Sequence, residues 1–96
     1  MGHACELETS LMLATRPDLV RRDRMEADGP TRLSPFEGRD MFAPGVVSVS
    51  KPFRELSRHG GIGDPTSASA GKGEHIFAAI VSRLEEVVRE IQSGEL

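Results

Sequence analysis

Few residues in this 96-residue chain could carry chemistry: three histidines, one cysteine, and a glycine cluster ahead of the last helical segment. His3, His59 and His75 each offer an imidazole that titrates near neutrality, suited to proton transfer or metal ligation. They are far apart in sequence, and none has a second ligand at the short spacing of a local zinc motif. His75 follows Glu74 inside a helical pattern and reads as a solvated helix residue, and His59, in Arg58-His59-Gly60-Gly61, reads as a loop residue. Cys5 could act as a nucleophile, but a small buried hydrophobe is the simpler reading. Gly60-Gly61-Ile62-Gly63 invites comparison with a phosphate-binding loop. No Lys-Ser/Thr pair follows, and no complete dinucleotide fingerprint does either, so the glycines are expected to make a turn.

The elements that must position these residues fall into three zones. The first runs from Cys5 to about Arg16, with Glu6 and Glu8 where negative charge favours a helix N-terminus. Thr9 or Ser10 could instead cap a slightly later start. Pro17 ends the run because it pushes residue 16 out of the helical region, and Asp18-Leu19-Val20 is expected to turn back. The second zone, roughly 21–65, is punctuated by Gly29-Pro30, Ser34-Pro35, Pro44-Gly45, Lys51-Pro52 and Asp64-Pro65. Within it, Val46-Val47-Ser48-Val49-Ser50 is predicted as a strand that ends at Pro52. In the third zone, Asp64 is expected to cap a helix with Pro65 at its first position. Ile76, Phe77, Ile80, Val81, Leu84, Val87, Val88 and Ile91 then recur at helical spacing, and Gly94 is placed to end the run. The prediction is helices over 6–15 and 67–93, the second with an exposed apolar face.

Composition narrows the classes. Apolar residues are 38% and charged residues 28%, ordinary for a soluble protein, but with four Phe and no Trp or Tyr there is little material for a dense core. A net charge of −3 excludes an extended nucleic-acid surface. Arg16, Arg21, Arg22 and Arg24 form a basic run, but Asp18, Asp23, Glu26 and Asp28 interleave with it, and a solvated face is the expected outcome. No apolar stretch approaches the ~20 residues of a membrane span. A single cysteine permits no intrachain disulfide and suits a reducing compartment, so the expected location is the cytoplasm.

The opening residues, Gly2-His3-Ala4-Cys5-Glu6-Leu7-Glu8-Thr9-Ser10 followed by Arg16-Pro17-Asp18-Leu19-Val20, resemble the His-Ala-Gly-x-x-Glu-Thr-Ser segment of the creatininase (creatinine amidohydrolase) family and its trailing Pro-Asp-Leu-Val. Gly61-Ile62-Gly63-Asp64-Pro65-Thr66 resembles the family's Gly-x-x-Gly-Asp-Pro turn, which leads into its last helix. Two departures stand out. Cys5 replaces the usual Gly, and Gly71 stands where the family has Glu.

The resemblance implies an α/β fold, namely the C-terminal part of a three-layer α/β/α creatininase-like domain. Here that part would be two helices flanking a loop-rich region with one or two short strands. Residues 1–96 would be a partial domain whose N-terminal, metal-binding half is absent. A truncated gene, a misplaced start codon or a split reading frame would account for a match that begins at the second residue. The family hydrolyses cyclic or linear amides at a two-metal centre, usually zinc or manganese, often as a homohexamer. The resemblance implies that His3 is the catalytic histidine beside the metals, protonating the departing nitrogen, and that Glu8 lies at the rim, orienting that histidine or the substrate. It assigns no metal ligand to this chain, which is expected to bind no cofactor and to be inactive alone. The alternative is a non-catalytic interaction module that docks its apolar helix, residues 74–91, on a partner.

Overall fold

The computed structural model describes residues 2–29, 34–38 and 42–96. Three helices appear among them: α1 (Glu6–Thr15), the one-turn α2 (Phe53–Leu56) and α3 (Ala70–Ser93). Single 3₁₀ turns sit at Pro17–Leu19, Arg22–Arg24 and Pro65–Ser67. No described helix is long and apolar enough to cross a membrane.

α1 has the predicted bounds. The Glu8 carboxylate reaches back to accept the Cys5 N–H at 3.2 Å, so the first turn closes on its own side chain. Arg16, placed before Pro17, leaves the helical region at φ −141° and ψ 67° and ends the helix. The expected turn-back follows as the Pro17–Leu19 3₁₀ turn, where the Arg16 guanidinium donates to both oxygens of Asp18 at 2.9 and 2.7 Å.

α3 begins later than predicted. Asp64 does act as a cap, accepting the Thr66 N–H at 2.9 Å, but it caps the short Pro65–Ser67 turn. The chain then extends through Ala68, and Ser69 starts α3 by accepting the Lys72 N–H at 3.2 Å. Two caps in succession divide what the sequence presents as one start. At the far end Gly94 adopts a left-handed φ of 78° and donates to Ile91, while the Glu95 N–H donates to the Glu90 carbonyl.

α1 and α3 cross backbone to backbone. A Cβ on Gly73 would overlap the Ser10 carbonyl oxygen and lie 2.8 Å from the Ala14 Cβ. Ser10 is fully buried, and its hydroxyl accepts the N–H of Ser69, the residue that caps α3. Beside the crossing, Lys72 donates to Glu6 and to the Ser67 carbonyl, both at 2.6 Å. The apolar core around this junction is small. Among the described residues only Cys5 and Leu13 are buried hydrophobes. The radius of gyration, 16.5 Å, exceeds the ~13 Å of a compact domain of about this length.

The predicted strand at Val46–Ser50 does not form. The segment is exposed and makes one parallel bridge, Val47 to Glu37, because no strand among the described residues lies alongside to extend the pairing. The described residues contain isolated bridges in place of strands. Pro30, from the expected Gly29-Pro30 turn, lies outside the described residues.

The exposed apolar face is present as predicted. Phe77, Ile80, Val81, Leu84, Val87, Val88 and Ile91 are 37–58% exposed. Only the start of this stripe meets α1, where Ala14 and Thr15 share a shallow groove with Phe77, Val81 and Glu85.

These contacts set the ranking of mutational costs. Leu13→Ala is expected to cost about 2–5 kcal/mol, and Leu84→Ala, at an exposed site, less than about 0.5 kcal/mol. Gly73→Ala is expected to cost about 1–3 kcal/mol through overpacking. Gly71→Ala, where an added Cβ meets nothing within 4 Å, should instead stabilise by up to about 1 kcal/mol. Urea midpoints of the four variants check the order.

Candidate functional site

Two adjacent residues, Ile62 and Gly63, tie the candidate site together. Ile62 pairs antiparallel with His3, through His3 N–H to Ile62 O at 2.9 Å and Ile62 N–H to His3 O at 2.7 Å. Gly63 pairs with Asp28 in the same way, at 3.0 and 2.7 Å. The Gly-Ile-Gly turn therefore brings the start of the chain and the end of the basic run to one place. Gly63 has φ +120°, and a Cβ there would sit 2.7 Å from the Cys5 Cβ. Both conditions call for glycine.

His3 is exposed, and its ring meets the Phe53 ring edge-on, with centroids 5.4 Å apart at 81°. The two hydrogen bonds to Ile62 hold its backbone. Ala4, the next residue, has φ 49°, the one positive value on a non-glycine residue among those described. A left-handed alanine costs roughly 1–2 kcal/mol, and here it turns the chain sharply from the His3 bridge into α1.

Glu8 lies in the first turn of α1. Its carboxylate oxygen accepts the Cys5 N–H at 3.2 Å and lies 3.5 Å from the Cys5 Sγ. His3 and Glu8 thus have different partners, and Glu8 shapes the turn that presents His3. Cys5 is buried, the structural reading of that residue. The three histidines do not converge. His59 lines a cleft with Arg21 and Arg24, whereas His75 borders a cavity of about 480 Å³ with Cys5, Ser10 and Lys72.

The residue that the sequence conceals is Asp28. Its side chain is 6% exposed. One oxygen accepts the Gly29 N–H at 2.8 Å. The other accepts the Ser57 hydroxyl at 3.0 Å, the Arg58 N–H at 2.7 Å and the His59 N–H at 3.2 Å. His59 Nε2 lies 3.4 Å from the same oxygen. The Gly29 N–H, followed by the donors from Arg58, Ser57 and His59, holds the Asp28 carboxyl well below the usual carboxylate range, against the opposing effect of burial. Ser57, itself buried, passes the network on by accepting the Gly60 N–H at 2.8 Å.

These residues do not fit a divalent metal. Asp28 is saturated by donors, Glu8 is bonded to Cys5, and Glu26 pairs with Arg58 at 3.1 Å. Asp64 is occupied by Thr66 and Ser67. Among the described residues, no group of three His, Cys, Asp or Glu is placed to hold a cation.

Two outcomes follow from this geometry. Asp28 ionises more readily folded than unfolded, so its stabilisation is present above about pH 4 and is lost as pH falls below that. Wild type should therefore lose thermal stability on acidification, and Asp28→Asn should start less stable and show a flatter profile; melting temperatures from pH 7 down to pH 2 test this. Ala4→Gly should raise stability by about 1 kcal/mol by removing the left-handed cost, read from denaturant unfolding.

The family model described as creatinine amidohydrolase matches residues 1–88. The mycofactocin precursor peptide peptidase of Mycolicibacterium smegmatis is 37% identical over 91 residues, covering 95% of this chain and 34% of that protein. The creatinine amidohydrolase of Pseudomonas putida is 33% identical over 96 residues, covering 92% of this chain and 30% of that protein. Among solved structures, a Trp-to-Phe mutant creatininase superposes with a TM-score of 0.65 at 29% identity, and a Glu-to-Gln mutant creatininase of the Zn-Zn type with 0.63 at 32%. Each superposition covers 90% of this chain and 30% of the other. The chain spans about a third of the length of the curated relatives it matches. By family match, sequence identity and superposition, it belongs to the creatininase family of hydrolases.

Proposed function

We propose that this chain forms the proton-donating wall of an amide-hydrolysing site, with His3 as general acid and Glu8 as the residue that positions it. The observation that carries this reading is the turn at residues 3–5. The paired bridge to Ile62 fixes the His3 backbone, a left-handed Ala4 follows, and the Glu8 carboxylate locks the entry to α1. Together these leave the imidazole exposed on a fixed backbone. An imidazole can hand a proton to the nitrogen leaving a cleaved amide and recover one near neutral pH. Glu8 acts indirectly, through the Cys5 N–H and the shape of the turn.

The family relation implies zinc or manganese to activate the attacking water. The carboxylates described above are otherwise engaged and the imidazoles do not converge, so on this reading the ligands belong to residues outside this set. On this reading the 96 residues alone do not hydrolyse amides. The substrate is a cyclic or linear amide, the classes on which the named relatives act.

A second reading rests on one observation, the exposed stripe from Phe77 to Ile91. It makes the chain a non-catalytic module that docks α3 on a partner. Metal content and turnover separate the two readings. The chain should show no amide hydrolysis with added zinc or manganese. Joined in one polypeptide to the preceding two-thirds of the Pseudomonas putida creatinine amidohydrolase, it should bind metal and turn over. In that context His3→Ala should lower kcat by about 10²–10⁴-fold, and Glu8→Gln less. Turnover by the 96 residues alone, or a fusion indifferent to His3→Ala, would refute the assignment.

A further inference from the structure

The basic run read from the sequence as a solvated face is sorted by the fold. A cleft of about 600 Å³ opens between the start of α1, the 3₁₀ turn at Arg22–Arg24 and the Gly60-Gly61 corner. Arg21 and Arg24 line it, whereas Arg22 and Asp23 do not. The reason is local geometry. The Arg24 N–H donates to the Arg21 carbonyl at 3.0 Å, and a 3₁₀ turn places residues i and i+3 one above the other. Among the described residues neither guanidinium has a hydrogen-bond or ion-pair partner, as is also true of Arg22 and Arg54, whereas Arg16, Arg58, Arg83 and Arg89 are paired. The acid in the lining already has a cation partner. Glu26, on its wall, pairs with Arg58 at 3.1 Å. The rest of the lining is largely apolar, from Ala4, Val20, Met25 and Pro65.

We propose that this cleft binds the free carboxylate of a short peptide or acylamino acid through Arg21 and Arg24, with the apolar wall taking the adjoining residue. Guanidinium pairs match a planar carboxylate through paired N–H donors. Inorganic phosphate would use the charge but leave the apolar wall unmet. Ala4 and Thr9 line this cleft and also belong to the segment that presents His3. Taken with the hydrolase reading, on which this role rests, the cleft would favour amides that carry a free carboxylate.

The test is equilibrium binding to the intact 96-residue chain, followed by amide NMR during titration with N-acetyl-dialanine, its C-terminal amide and inorganic phosphate. The acid should give saturable shifts at Arg21, Arg24, Gly60 and Gly61. Its affinity should exceed that of the amide by about tenfold or more, the effect of one lost charge-assisted contact. Arg21→Gln with Arg24→Gln should abolish the difference, and Arg22→Gln, outside the cleft, should retain it. All three positions are exposed, and the spectrum itself reports whether each variant is folded. Equal binding of acid and amide, phosphate binding as tightly as the acid, no saturable binding, or unchanged affinity in the double variant would each overturn the proposal. Turnover of a neutral cyclic amide by the fusion described above does not depend on this cleft, so the two readings fail separately.

Discussion

The close approach of α1 and α3 at Ser10 and Gly73 is the constraint on which the rest of the chain depends. With so few buried hydrophobes, area alone does not hold these helices together. The helices meet because one lacks a side chain where the other presents backbone, and because the Ser10 hydroxyl satisfies the N–H of Ser69, the capping residue of α3. A buried hydroxyl without a partner would be costly. Here it joins capping and packing in one bond, and Lys72 adds a polar link from the start of α3 to Glu6. The start of α1, and the turn that presents His3 ahead of it, inherit their orientation from this junction.

A second centre, Asp28, does for the loops what Ser10 does for the helices. Between α1 and α3 the described chain has little regular structure, so its backbone donors need other acceptors. One carboxylate gathers those of Gly29, Arg58 and His59, and the Ile62–Gly63 corner is fixed on both sides by paired bridges. The outcome is a polar scaffold in place of an apolar one. Among the described residues it positions the arginine cleft and the His3 turn next to each other without a sheet.

What could be read from the sequence was local. α1 declares itself through Glu6, Glu8 and Pro17, all within its own length, and the periodicity of α3 is plain from Ile76 onward. The start of α3 misled because Asp64-Pro65 is a sound capping pair that serves a different turn. The need for glycine at position 73 was not legible, because the sequence does not show the Ser10 backbone pressed against it. Asp28 was hidden among alternating charges, since Ser57, Arg58 and His59 lie 29–31 positions further along. The alternation at Val46–Ser50 was real, but alternation describes a face, and a strand also requires a neighbour. The family likeness drew attention to His3 and Glu8, but it does not show that a carboxylate at that helical position accepts the N–H of Cys5 and shapes the turn.

The last two turns of α3, beyond Glu85, are exposed along their length. They carry an exposed ion pair, Arg89 with Glu85, and end at the glycine stop of Gly94. Isolated helical segments of that length are marginal in water. This end of the helix should therefore fray on its own timescale, while the Ser10–Gly73 junction stays closed. Any surface that settles on the stripe gains a better-ordered helix along with apolar contact. Its affinity is lowered by the entropy of that ordering, so contact there would be felt as a stiffening of the chain's C-terminal end.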